Sequence, residues 1–291
     1  MTKLRNWKSC KMSKQTYQEV LNWASSFLEN HGKEGYAIFY VFLARKKWTK
    51  TDWLSHMKDK ITQKEYDQLQ IDLEQLLNDY PPQYLLGYEE FYGRSFKVNS
   101  NTLIPRPETE ELVEWCLQNT VKQKEEALQV VDVGTGTGAI AATLKLERPA
   151  WQISAVDISK NALEVAQVNS DLLEAKVEFY LGNTLEPIKH SIDILIANPP
   201  YISQDEWSLM DTSVQRYEPS IALFAENEGL AVYQKIAEQA QEKLTKKGKI
   251  FLEIGFNQGG KVEEIFQRSF PQKTIQRKKD LSGNERMLLV H

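Results

Sequence analysis

The sequence predicts a doubly wound α/β domain preceded by a small N-terminal helical bundle and a linking β-hairpin. Three observations carry this prediction. From residue 128 onward, short apolar runs alternate with segments of helical spacing. Two of those runs lead directly into ligand-type turns, Gly134-Thr135-Gly136-Thr137-Gly138 and Asn198-Pro199-Pro200-Tyr201. The first 80 residues or so read as helices.

Over residues 13–30, Tyr17, Val20, Leu21, Ala24, Phe27 and Leu28 recur at helical spacing and Gly32 follows as a stop, which predicts an amphipathic helix. Tyr36 to Ala44 is apolar nearly all round, as a buried bundle helix should be. Thr62 and Glu65 have capping-box spacing ahead of Tyr66, Leu69, Leu73, Leu76, Leu77 and Tyr80, and Pro81-Pro82 should end that helix. Trp7, Trp23, Trp48 and Trp53 are expected mainly in the bundle core. Tyr88 to Val98, with Phe91, Tyr92, Phe96 and Val98 around Gly93-Arg94, reads as a hairpin bridging the two domains. Pro105 and Pro107 stiffen the path into a helix whose first turn carries Glu108, Glu110 and Glu111, placed to suit its dipole. Arg106 remains open between a structural and a ligand-contacting role.

Beyond this point strands are expected at 128–133, 152–156, 176–180, 192–197 and 249–254 and at Met287 to Val290. Helices are expected at 138–147, 160–170 and 229–244 and near 259–268. Residues 202–227 are long for a plain connection and are a candidate substrate lid. Lys246-Lys247 and Arg277-Lys278-Lys279 are read as solvated faces.

Composition narrows the classes. The 291 residues are 41% hydrophobic and 26% charged, and no apolar run approaches the ~20 residues of a membrane span. Met1 to Trp7 is followed by polar residues and not by an apolar signal core, so a cytoplasmic location is expected, with no membrane partner. Cys10 and Cys116 are too few for a disulfide framework, and His31, His56, His190 and His291 lack ligand spacing, so no metal site is expected. The net charge of −4 argues against a general nucleic-acid binder, although residues 1–60 carry +7 and the remainder −11. That basic excess is either a solvated face or a docking surface.

The two turns carry the chemistry. After the apolar run Leu128 to Val133, the glycines let backbone approach a ligand closely, and the helix start behind them offers free N–H groups. Asp157 closes the following strand, placed to accept both hydroxyls of a ribose. Spacing alone does not name the nucleotide, because Gly134, Gly136 and Ala139 also satisfy the dinucleotide pattern. After the run Ile192 to Ala197, two prolines make a stiff turn that presents carbonyl oxygens without competing N–H groups. Asn198 adds a side-chain amide and Tyr201 a flat ring. A planar amino group suits such a turn: its N–H groups would bond the Asn198 oxygen and the Pro199 carbonyl while Tyr201 covers one face. Asn-Pro is also an ordinary turn signal.

Together these residues resemble the class I S-adenosylmethionine-dependent methyltransferases, and within them the HemK/PrmC family of protein-(glutamine-N5) methyltransferases. The resemblance extends to Gln83 to Gly87, Leu103 to Glu110, Glu218-Pro219, Leu252 to Gly255 and Asp280 to Gly283. It implies S-adenosylmethionine as cofactor, held by Gly134, Thr135, Gly136, Thr137, Gly138, Asp157, Asn183, Thr184 and Asn198. Asn198, Pro199, Pro200 and Tyr201 would be the catalytic set. Where the family usually carries an acidic residue near the adenine, this chain reads Gly182-Asn183-Thr184. The implied sheet has seven strands, one of them antiparallel. The implied substrate is the glutamine of the Gly-Gly-Gln loop of class I peptide chain release factors, met by a monomer without sequence-specific nucleic-acid contact. Residues 1–80 would recognise that substrate, 81–107 would link, and 108–291 would form the methyltransferase domain. Three rivals stand beside this reading: an amino-methyltransferase acting on a nucleic-acid base, a nucleotide-binding oxidoreductase, which would give Asn198 to Tyr201 no task, and a non-enzymatic binding module, which would consume no S-adenosylmethionine.

Overall fold

Residues 15–291 are described by a computed structural model. They form two compact units, one made of the residues up to Gly87 together with Thr212–Tyr217, the other of Tyr88–Asp211 and Glu218–His291. The expected start of the first helix at residue 13, and Trp7 and Cys10, lie outside the described residues.

The first unit is helical. Helix α1 (Tyr17–Glu29) begins at Thr16, whose hydroxyl accepts from the Glu19 N–H while the Glu19 carboxylate accepts from the Thr16 N–H. It buries Tyr17, Val20, Leu21, Ala24 and Leu28; Phe27 is only partly buried. Helix α2 (Tyr36–Lys46) buries Ile38, Val41 and Phe42. A short helix α3 (Lys50–His56) was not expected, although Thr49 and Asp52 give it a capping box of its own. Helix α4 (Gln63–Leu77) starts from the predicted Thr62–Glu65 box. It ends at Leu77, before the prolines; Pro82 instead occupies the first turn of a five-residue helix, α5 (Pro82–Leu86), as its missing N–H permits. Trp23, Trp48 and Trp53 are partly buried against the core formed by these helices. Asp72, buried on α4, accepts two bonds from Arg45 at 2.7 and 2.8 Å, which offsets its desolvation. A further helix, α9 (Thr212–Tyr217), belongs to this unit: Arg216 pairs with Asp79 at 3.1 Å, and the Tyr217 hydroxyl donates to the Asn78 carbonyl at 2.8 Å.

The second unit opens with the predicted hairpin, β1 (Tyr88–Phe91) and β2 (Arg94–Lys97). Of the segment expected to link two domains, α5 falls in the helical unit and the hairpin in this one. The reason is burial: Phe91 and Phe96 are 1% and 0% exposed and join the core of the large sheet. Helix α6 (Pro107–Asn119) follows, then strand β3 (Gln129–Val133), helix α7 (Ala139–Glu147), strand β4 (Gln152–Asp157), helix α8 (Lys160–Leu172), and strands β5 (Val177–Leu181) and β6 (Ile192–Ala197). After a short helical turn α10 (Glu226–Gly229) come helix α11 (Ala231–Lys243), strand β7 (Leu244–Glu253), helix α12 (Gly259–Ser269), and strands β8 (Ile275–Lys279) and β9 (Glu285–Val290).

Strand order is β5-β4-β3-β6-β7-β9-β8, with β9 antiparallel to both neighbours and the remaining pairings parallel, the sheet implied by the resemblance. Its central strands are apolar on both faces. On β6, Ile194 and Ile196 enter the core cluster that includes α6 and α7, while Ile192, Leu195 and Ala197 enter the cluster that includes α11 and α12. Strand β8 was not expected: Arg277-Lys278-Lys279 is largely solvent-exposed, as read from the sequence, but it also forms a strand. These residues pair with β9 from Ile275↔Val290 to Lys279↔Glu285, at the sheet's edge, where charged side chains discourage pairing with another chain. The chain order brings the carboxyl ends of β3, β4 and β6 side by side, which is where the ligand-type turns emerge.

Candidate active site

At those strand ends a cavity of about 290 Å³ opens. Its walls are Asn101 to Leu103, Gly134 and Gly136, Asp157 to Ser159, Gly182 to Thr184, Asn198 to Pro200, and Ile221, Ala222 and Phe224. A larger and more open hollow lies at the amino ends of β3 and β4, beside Gln129 and Gln152. It contains neither ligand-type turn, and ligands of open α/β sheets sit at the carboxyl ends.

The first wall is the glycine loop between β3 and α7. Gly136 has φ 56°, a left-handed value that a side chain would strain, and a Cβ built there meets no protein atom within 4 Å. The space in front of it is open and belongs to the cavity. Its N–H donates to Asp157 Oδ2 at 2.9 Å, and the Ser159 N–H donates to Oδ1 at 2.8 Å. Each carboxylate oxygen has capacity for a further donor, so the fixed Asp157 group fits the two hydroxyls of a ribose. Burial pushes its pKa up, against the N–H groups of Ser159, Gly136 and Ile158 that hold it down.

Not every loop residue faces the cavity. Thr135 donates its hydroxyl proton to buried Asp132 at 2.6 Å, and the Thr137 carbonyl accepts from Asn169 at 2.9 Å. A Cβ on Gly138 would lie 3.2 Å from that of Ala166, so this glycine lets α7 approach α8. Thr135, Thr137 and Gly138 therefore shape the loop from behind, whereas Gly134, Gly136, Asp157, Asn183 and Thr184 line the cavity. Thr184 is tied further: its hydroxyl and the Leu185 N–H both donate to Gln239 Oε1 at 2.7 Å. Asp132 keeps one oxygen, Oδ1, unpartnered, and burial pushes its pKa up to about 7.

The second wall is the turn after β6. Asn198, Pro199 and Pro200 line the cavity; Tyr201 does not. Its ring packs on the core cluster around α11 and against Gly255, where an added Cβ would lie 3.3 Å from Cδ2, and Gln258 holds its carbonyl at 2.8 Å. Arg286 Nη1 lies 3.5 Å from the phenol, which burial pushes well up. The ring thus buttresses the turn from beneath in this structure.

Asn198 is oriented by two residues that the spacing of the turns did not expose. Its Nδ2 donates to Thr109 Oγ1 at 2.9 Å, and the Thr109 hydroxyl donates to Glu253 Oε2 at 2.6 Å. Thr109 and Glu253 are 5% and 2% exposed. Both lie in segments that the family resemblance covers, Leu103 to Glu110 and Leu252 to Gly255, and Glu253 also stands out as an acidic side chain within the otherwise apolar run Ile250 to Ile254. Arg106 and Ile104 are accounted for as well: Glu218, buried, takes the Arg106 guanidinium on one oxygen and the Ile104 N–H at 3.1 Å on the other. Arg106 is structural here, fastening the segment before α6 to the end of the connection that follows the Asn198 turn. Apolar wall residues such as Ile158 and Ala162 carried no sequence signal.

Two family models match the chain. Residues 19–87 match the family model of the PrmC N-terminal domain, and residues 113–216 that of the methyltransferase small domain. A protein of Enterococcus faecalis named release factor glutamine methyltransferase is 60% identical over 94% of this chain and 98% of its own length. One of the same name from Lactococcus lactis is 45% identical over 89% and 94%. Among solved structures, the hMettl16 catalytic domain superposes with a TM-score of 0.54 at 14% identity, covering 72% of this chain and 89% of its own. Likeness at that identity bears on the fold alone, and the fold is that of class I methyltransferases.

Proposed function

The chain belongs to the family of release factor glutamine methyltransferases, and on that premise we propose that it methylates the side-chain amide nitrogen of a release-factor glutamine with S-adenosylmethionine. The target we infer is the glutamine of the Gly-Gly-Gln loop of class I factors, in the cytoplasm, where its modification would support termination. The observation that carries the reading is the Asn198 amide on the cavity wall, its nitrogen committed to Thr109 and its oxygen left to accept.

An amide nitrogen is a weak nucleophile because its lone pair is conjugated. Asn198 Oδ1 and the Pro199 carbonyl, bonding its two protons, would aim the lone pair and stabilise the positive charge that grows as the nitrogen becomes tetrahedral. S-adenosylmethionine supplies an electrophilic methyl on a sulfonium, so the new N–C bond forms as the C–S bond breaks. Asp157 and the N–H-rich glycine loop would hold its nucleoside part. The cationic amide product sheds its proton to water, and no side-chain base is required. Glycines flanking the target would let a protein loop enter the narrow cavity.

The test is transfer of radiolabelled methyl into a cell lysate. Label is expected in a polypeptide of release-factor size; label confined to RNA or DNA would refute the reading in favour of a base-modifying enzyme.

A further inference from the structure

We propose that Thr109 and Glu253 are positioning residues that fix which end of the Asn198 amide faces the substrate. The inference rests on the reading above and concerns how that same site is kept productive. The catalytic turn needs an acceptor facing the glutamine amide. Asn198 carries both an acceptor and a donor, and the two ends differ little in shape. Something must choose between them.

The hydrogen-bond polarity makes the choice. A carboxylate accepts only, so while Glu253 is ionised the single hydroxyl proton of Thr109 goes to Glu253 Oε2, at 2.6 Å. The Thr109 oxygen is then an acceptor, and Asn198 satisfies it with Nδ2, at 2.9 Å. Oδ1 is thereby left to face the cavity. A protonated Glu253 reverses the sense: it donates to Thr109, whose own proton is released towards Asn198, and the amide is free to turn its Oδ1 inward and its NH2 to the substrate. Two sets of donors would then oppose each other, and the nucleophile would lose its aim.

The surroundings place this reversal within reach of ordinary pH. Thr109 sits in the first turn of α6, and Arg106 and Glu108 flank it; Arg286 on β9 and Tyr201 after β6 also face Glu253. From α11, the Tyr233 hydroxyl donates to the Glu253 carbonyl at 2.8 Å. Burial pushes Glu253 up to about 7, against the Thr109 bond and the charges of Arg286 and Arg106, which lower it, while Glu108 raises it. The folded-state pKa is raised, so the ionised, productive form is gained as pH rises through about 7 and lost below it.

The experiment follows kcat against pH for wild type, Thr109→Val, Thr109→Ser and Glu253→Gln on purified release factor, with calorimetric S-adenosylmethionine binding and a thermal melt for each. Wild type should gain activity through an acid limb near neutrality. Thr109→Val, which keeps the shape without the hydroxyl, should lose about 10²-fold in kcat, the scale of a misaligned reacting group. Its KM and cofactor affinity should not change. Thr109→Ser should recover most of the loss. Glu253→Gln, which can donate to Thr109 as a protonated acid would, should be slow at every pH and lack the acid limb. Should the valine cost folding, the Glu253→Gln profile decides alone. An unimpaired Thr109→Val, a serine variant no better than valine, or an acid limb surviving in Glu253→Gln would overturn the proposal. A wild type that transfers nothing to release factor would instead overturn the functional reading beneath it.

Discussion

The glycine loop and the Asn198 turn face each other across one cavity, yet they are built by opposite means. The loop is local: Gly134, Gly136, Asp157 and Ser159 lie within 26 residues of chain, and the Gly136 and Ser159 backbone N–H groups fix the carboxylate. The turn is stiff by itself, but the orientation of its one functional side chain comes from Thr109 and Glu253, 89 and 55 residues distant. A cofactor wall made of backbone is a fixed cradle. A substrate wall whose amide is aimed through a relay of side chains can be lost without unfolding anything. The two walls should therefore fail differently when broken.

The largest effect is expected at the substrate wall. Asn198→Ala should slow methyl transfer by ~10²–10³-fold, the cost of removing one preorganised charge-stabilising group, and leave cofactor affinity close to wild type. Single-turnover rates at saturating cofactor measure this. Affinity that fell in step with the rate would move Asn198 to the cofactor wall.

At the cofactor wall, Asp157→Ala should weaken S-adenosylmethionine binding by ~1–3 kcal/mol, because two hydroxyls lose a charged acceptor. Calorimetric titration gives the number. An unchanged affinity, or a preference for NAD, would break the assignment.

A third substitution separates the loop's lining from its support. Gly138 has φ 78° and packs on Ala166, outside the cavity. Gly138→Ala should cost about 1–2 kcal/mol of stability through left-handed strain alone, before any clash with Ala166. Denaturant unfolding should register it clearly, with cofactor affinity per folded molecule much less affected.

How far these walls could be read from sequence follows from their construction. Gly134, Gly136, Asp157 and Asn198 to Pro200 were legible because short motifs at strand ends announce themselves. Tyr201 was assigned to the substrate face, whereas its ring packs beneath the turn; a tetrapeptide does not say which way its last side chain points. Thr109 and Glu253 act only where α6 and β7 converge on β6, which no local spacing records. Strand β8 was hidden for another reason: as a charged edge strand with β9 as its neighbour, it lacks the apolar alternation by which buried strands are recognised. Helix α3 was legible in principle through Thr49 and Asp52, but seven residues gave too little periodicity to support it.

The smallest effect is expected in the helical unit, none of whose described residues lines the cavity. We attribute substrate recognition to it, in line with the basic excess of residues 1–60. Exchanging the exposed Lys47, Lys50, Lys58 and Lys60 for glutamate should raise KM for intact release factor by on the order of tenfold at low salt, an effect that screening should erase. The cofactor dissociation constant and kcat should stay put. An unchanged KM would place recognition elsewhere.

The central claim is that the cavity delivers a methyl group to a glutamine amide aimed by Asn198. Fragmentation mass spectrometry of purified class I release factor, after incubation with the protein and S-adenosylmethionine, tests it directly. One added methyl on the side chain of the Gly-Gly-Gln glutamine, nearly absent with Asn198→Ala, is the predicted result; a methyl on any other residue, or undiminished modification by the Asn198 variant, would contradict it.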